Sequence, residues 1–183
     1  MKKNIINEIK TSCLIESIDN YKDKMGNLST IEKYEQKVLD LKNPRLSYEF
    51  ALIEGANIKA HENIVVESND LGYIYLFARN IKGSNKERLS KIIIESKDLG
   101  YNYLYALYVK NADIKAHGNV ILESQNVKYN YLFIKDIDGS DIEKHSHVLL
   151  NCANKLYLKY LKKELIVECD IDLNDYKTKQ KTK

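Results

Sequence analysis

Apolar residues return along this chain at two superposed spacings. The short spacing is helical: Tyr73, Phe77 and Ile81 stand at i, i+4 and i+8 with Leu76 beside them, and Tyr101, Tyr105 and Val109 repeat the pattern. The long spacing is 28 residues. ESNDLGYIYLFA from Glu67 is followed by ESKDLGYNYLYA from Glu95 and by ESQNVKYNYLFI from Glu123. Units therefore begin at Tyr73, Tyr101, Tyr129 and Tyr157. A unit one residue shorter precedes them, with Leu46, Tyr48, Phe50 and Ala51 in the slots of Tyr73, Tyr75, Phe77 and Ala78. The second half of a still earlier unit is visible at residues 31–44. Self-similarity at this period predicts a stack of supersecondary units.

Each unit reads as two short helices. The first is expected to stop at Gly55, Gly83 and Gly139, where a left-handed residue is cheap, and the same slot holds Asn111 in a further unit. An N-cap follows at Asn57, Asn85, Asp113 and Asp141. Ser84 with Glu87, and Ser140 with Glu143, have capping-box spacing that offers an alternative cap one residue earlier. The second helix sets Ile64, Val65 and Ser68, and equivalently Ile92, Ile93 and Ser96, on its buried stripe. It is expected to end near residues 69–72 and 97–100, with Gly72 and Gly100 marking the turn back. Helices of about 11 residues are marginal alone in water, so each unit must stack on its neighbours. The expected fold is all-α, a right-handed α-solenoid of about five stacked helical hairpins with a 28-residue period. Residues 1–42 form an N-terminal helical cap with a break around residues 26–29, and residues 43–163 form the tandem hairpins. Residues 164–183 form a C-terminal cap and a basic disordered tail, in which LIVECDIDL reads equally as a helix extension or a short edge strand.

Composition narrows the function classes. A chain of 183 residues can bury a core without metals or disulfides. No apolar run approaches the roughly 20 residues that span a bilayer, and the N-terminus lacks an uninterrupted apolar signal region, so a cytoplasmic protein is expected. Cys13, Cys152 and Cys169 are odd in number and far apart, which fits free thiols. The formal charge is +3, but the last seven residues carry four lysines and no acid, leaving −1 on the rest. A near-neutral body supplies little attraction for phosphate.

The wording of YIYLFARNIKGSN and YNYLFIKDIDGSD resembles short degenerate helical repeats of phage and bacterial proteins, compact relatives of HEAT-type α-solenoids. The resemblance covers residues 43–163. It implies a binding protein that holds proteins, sometimes nucleic acids, and that in phages serves as an inhibitor of host defence. It carries no catalytic motif.

Three recurring residue sets are candidates for chemistry. His61, His117 and His145 share a slot with Leu89 and Tyr34, on the stripe of Ile64 and Val65, so they read as packing histidines. Stacked units place them on the order of 10 Å apart, too far to share one zinc. Glu67, Glu95 and Glu123 end the second helices, where the macrodipole slightly disfavours a carboxylate, and so point either to a tyrosine hydroxyl or lysine of an adjoining unit or to an acidic ladder along a binding face. Tyr73, Tyr101, Tyr129 and Tyr157 are expected on the core stripe. Tyr48, Tyr75, Tyr103 and Tyr131 lie two residues on, about 200° around the helix, and are expected to be partly exposed. Tyrosine is enriched at binding hot spots. The candidate partner-binding residues are thus Tyr48, Tyr75, Tyr103, Tyr131, Glu67, Glu95 and Glu123, with no catalytic residue, cofactor or metal expected. The expected function is non-enzymatic protein binding. Its alternative is nucleic-acid binding through the surface tyrosines and the lysine tail. On this reading, replacing Tyr75, Tyr103 and Tyr131 by alanine abolishes binding and leaves helicity largely intact.

Overall fold

A computed structural model of the chain describes residues 28–151. Their regular structure is entirely helical: α1 (Leu28–Asp40), α2 (Pro44–Phe50), α3 (Ile58–Glu67), α4 (Leu71–Asn80), α5 (Lys86–Ser96), α6 (Leu99–Tyr108), α7 (Ile114–Ser124), α8 (Val127–Asp136) and α9 (Ile142–Asn151). The chain divides into two compact units, one ending at Asp113 and the other starting at Ile114. The expectations for Cys13, Cys152, Cys169, Tyr157, LIVECDIDL and the lysine tail lie outside the described residues.

The turn from the first helix of a repeat to its second is built as its sequence predicts. Gly55, Gly83 and Gly139 have φ of +88°, +88° and +79°, and Asn111 takes the same left-handed region at +63°. Asn57 and Asn85 then accept from the amides of Ala60 and Arg88 at 3.1 and 3.0 Å, and Asp141 from Lys144 at 3.1 Å. The caps are these residues and not the serines before them.

The return turn is built differently from expectation. Gly72 and Gly100 lie within the first turns of α4 and α6. The left-handed residues are instead Asn69, Lys97 and Gln125, each at φ 55°. The clasp is a serine, because Ser68, Ser96 and Ser124 donate to the carbonyls of Val65, Ile93 and Ile121 at 2.7 Å. The same hydroxyls accept from the amides of Asp70, Asp98 and Asn126. These serines are exposed turn residues and not part of the buried stripe. Asp70, Asp98 and Asn126 in turn cap the next helix by accepting from Tyr73, Tyr101 and Tyr129. Gly72 serves close approach: a Cβ there would stand 3.1 Å from the Tyr101 hydroxyl.

In the first unit each of α1–α5 packs on the helix that follows it; α1 also touches α3, α2 touches α4, and α4 touches α6. Val65, Ile74, Phe77, Leu89, Ile93 and Tyr105 form its main core, adjoined by Val38, Leu46 and Phe50. In the second unit α8 packs on α7 and α9, and Ile121, Phe133 and Leu149 are buried. Each such apolar side chain contributes roughly 1.5–3 kcal/mol by leaving water.

Phe77, Ile81, Tyr105 and Val109 are buried as the helical spacing requires. Tyr73, Tyr101 and Tyr129 are only half-buried, against expectation. The inward slot is one residue on, where Ile74, Asn102 and Asn130 are wholly buried. Ile74, Phe77, Ala78 and Ile81 form an i, i+3, i+4, i+7 stripe, and the tyrosine before it falls on the stripe's shoulder. Among the described residues no helix is long and apolar enough to cross a membrane.

Candidate functional site

The three recurring histidines are buried, as packing residues should be. Two of them are held by different partners. Asn130 spends both amide hydrogens on the carbonyls of Ile121 and Asn126, at 3.1 and 2.9 Å. Its carbonyl oxygen, 2.7 Å from His145 Nδ1, must therefore accept, and Nδ1 is the protonated nitrogen. The ring stacks on Phe133 at 4.9 Å, and burial pushes its pKa down to about 4. His61 turns its other nitrogen to an acid: Nε2 lies 3.1 Å from Glu35 Oε1. Burial lowers its pKa too, against the opposing pull of the Glu35 carboxylate.

The asparagines were missed in the sequence reading, although a signal existed. Asn130 stands fifteen residues before His145, and Asn102 fifteen before His117; the slots that pair at that spacing elsewhere hold Ile74 and Leu89. Polar residues change together with polar, and apolar with apolar. A second missed set is Glu35 and Glu62, equivalent carboxylates that accept from the backbone amides of Asn57 and Asn85 at 2.6 and 2.7 Å. Each ties its helix to the cap of the next repeat's second helix. Glu62 also meets the Arg88 guanidinium at 3.3 Å.

In the Glu62 slot of the second unit stands Gly118. A Cβ built there would lie 3.0 Å from Phe133 Cε1, 3.3 Å from its Cζ and 3.4 Å from His145 Nε2. Glycine to alanine inside a helix ordinarily gains about 1 kcal/mol. Here overpacking opposes that gain, and Gly118→Ala is expected to destabilise by about 1–2 kcal/mol. A lower urea midpoint at unchanged slope would show it; a raised midpoint would show that the Phe133 ring yields freely.

The candidate tyrosines are tied into the packing of successive repeats. Tyr48 meets Tyr73 with ring centroids 6.2 Å apart, and Tyr75 meets Tyr101 at 6.3 Å, both tilted. Tyr75 is 6 % exposed and drops out of the candidate surface, whereas Tyr48, Tyr103 and Tyr131 are half-buried. The Tyr48 hydroxyl accepts from Asn80 Nδ2 at 2.7 Å across repeats. The Tyr75 hydroxyl accepts from Arg79 Nη1 at 3.1 Å. That bond orients a guanidinium whose carbon stands 4.7 Å from the centre of the Tyr108 ring. Arg79 and Tyr108 are exposed, Tyr108 to 50 %, and so is Leu52, which fills the Arg79 slot one repeat earlier. Sequence reasoning did not single out Arg79 or Tyr108. Neither recurs, so the internal alignment gave them no weight.

Glu67, Glu95 and Glu123 are exposed at the ends of α3, α5 and α7, as expected of a surface set. Glu95 pairs loosely with Lys91 at 3.8 Å on its own helix. It lies on an open groove of about 520 Å³ that runs along α5 past Ser90 and Ile94 and is floored by Tyr105 and Val109. None of Tyr48, Tyr75, Tyr103 or Tyr131 lines that groove. Tyr105 is fixed there by donating to the Lys86 carbonyl at 2.7 Å. Among the described residues no three His, Cys, Asp or Glu side chains gather as a metal site would require. No protein-family model, curated protein or solved structure matches the chain.

Proposed function

We propose that the chain is a non-enzymatic protein-binding α-solenoid of HEAT-like hairpins, with its docking face where the first helices of successive repeats end. One observation carries this reading. Arg79 is held by the Tyr75 hydroxyl and laid over the exposed Tyr108 ring of the next repeat, with Leu52 exposed one repeat earlier. Arginine and tyrosine dominate interface hot spots because each offers a large contact area with a directional polar end. An orientation already set by the Tyr75 bond lowers the entropy cost of docking. The exposed carboxylates Glu67, Glu95 and Glu123 add a recurring polar set in the second helices. The resemblance of the repeats extends the reading to an inhibitor of a host defence protein.

The test is a nuclease-treated pull-down from host lysate, comparing wild type with Arg79→Ala/Tyr108→Ala. Both side chains are exposed, so the double variant is expected to keep its helicity and thermal midpoint within a few degrees. It should lose at least tenfold in affinity for the retained protein, equivalent to about 1.4 kcal/mol. Undiminished retention by the variant would move the docking face elsewhere. Recovery of nucleic acid alone, before nuclease, would replace protein binding with the nucleic-acid alternative.

A further inference from the structure

The repeat at residues 43–61 carries an altered copy of the Asn130–His145 pair, in which Ser47 stands for Asn130 and His61 for His145. Ser47 and His61 are both wholly buried, and among the described residues the Ser47 hydroxyl and His61 Nδ1 have no hydrogen-bond partner. Such orphans are costly in a native interior and call for an explanation. The Glu35 carboxylate accepts from the Asn57 amide and faces His61 Nε2, so Nε2 carries the proton and Nδ1 presents a lone pair. This is the tautomer opposite to that of His145.

A third polar group comes from the equivalent of the Ile121 carbonyl. That oxygen receives both the Asn130 amide and the Ser124 hydroxyl, and the Ile93 carbonyl likewise receives Asn102 and Ser96. In the earliest repeat the matching carbonyl is that of Val38, a residue 0 % exposed. The two side chains in the donor slots are Leu41, which has no donor, and Ser47, whose hydroxyl makes no bond. Serine ends where asparagine continues into an amide, and the difference in side-chain size is close to the volume of one water molecule.

We propose that Ser47, His61 and the Val38 carbonyl form an internal site for a single structural water, which takes the place of the side-chain amide. The water accepts from the Ser47 hydroxyl and donates to His61 Nδ1 and to the Val38 oxygen. Three partners are the usual complement of a buried water.

The experiment is solution NMR on the full chain, with Ser47→Asn and Ser47→Ala alongside. Wild type should show His61 protonated at Nε2 and a water-selective Overhauser effect at its ring that persists beyond nanosecond exchange. Ser47→Asn places a side-chain amide where the water stands, as Asn130 does beside His145; it should abolish that effect and, because the amide oxygen then faces the ring, move the His61 proton to Nδ1. Ser47→Ala, which introduces the best helix former at this position, should lose the effect and leave the proton on Nε2. In wild type, a proton on His61 Nδ1 or no water effect overturns the proposal. So does an effect that survives in Ser47→Asn.

Discussion

Lowering the pH from 7 to 4 is expected to remove about 3 kcal/mol of folding stability through His145. In the unfolded chain this imidazole titrates near its ordinary value of 6.5, and in the folded chain near 4. Burial causes the shift; Asp141 pulls the other way and Lys144 adds to it. Because the folded value is depressed, the unfolded state binds more protons between the two. Stability is therefore fully present above about pH 6.5 and falls until pH reaches about 4, below which both states are protonated. His61 acts in the same direction, since burial outweighs its Glu35 partner. Urea unfolding across this range measures the slope. The repeat itself supplies the control. Asn130→Ile with His145→Leu copies the buried Ile74 and Leu89 of an earlier unit, and replacing both polar partners together avoids leaving an orphan. That variant should fold and lose the His145 share of the slope. Identical slopes in the two proteins would show that His145 is free to charge in the folded state.

The second large effect concerns Tyr75. Its ring is buried in the first unit's core, meets Tyr101 and anchors Arg79. Tyr75→Ala should cost about 3 kcal/mol or more, in the range for truncating a buried aromatic. The triple variant Tyr75→Ala/Tyr103→Ala/Tyr131→Ala also removes two half-buried rings. It is expected to lose much of its circular-dichroism signal at 37 °C, where the sequence reading expects helicity to survive. Arg79→Ala/Tyr108→Ala provides the comparison, because it strips the exposed side chains and leaves the tyrosine packing in place. If the triple variant melts within a few degrees of wild type, the tyrosines are surface residues after all.

The reason for that reversal is geometric. Two residues along a helix is about 200°, which places Tyr75 away from the Tyr73 direction. The reading took Tyr73 as the centre of the buried stripe, but the centre is Ile74, and a shift of one residue moves both tyrosine series to its shoulders. In an isolated helix a shoulder is half solvated. Here the next repeat covers it, and how completely depends on which ring meets which: Tyr75 is buried while Tyr48 is not.

By itself the sequence determined the helical class of the described residues, the length of the repeat, the left-handed turns at Gly55, Gly83, Asn111 and Gly139, and the caps at Asn57, Asn85 and Asp141. These are local choices, made by backbone sterics and by side chains bonding amides within a few residues of their own. The same locality made the histidines legible as core, since they sit at helical spacing from Ile64 and Val65. Tertiary structure decided what lies between repeats: the Glu35 and Glu62 clasps, the Asn130–His145 pair, the need for glycine at 118, and the Arg79–Tyr108 contact. Each joins groups 15 to 29 positions apart, and their energies depend on distances set only once the helices have packed. A periodic sequence says which positions are equivalent; only the packed neighbours decide what each equivalent position touches.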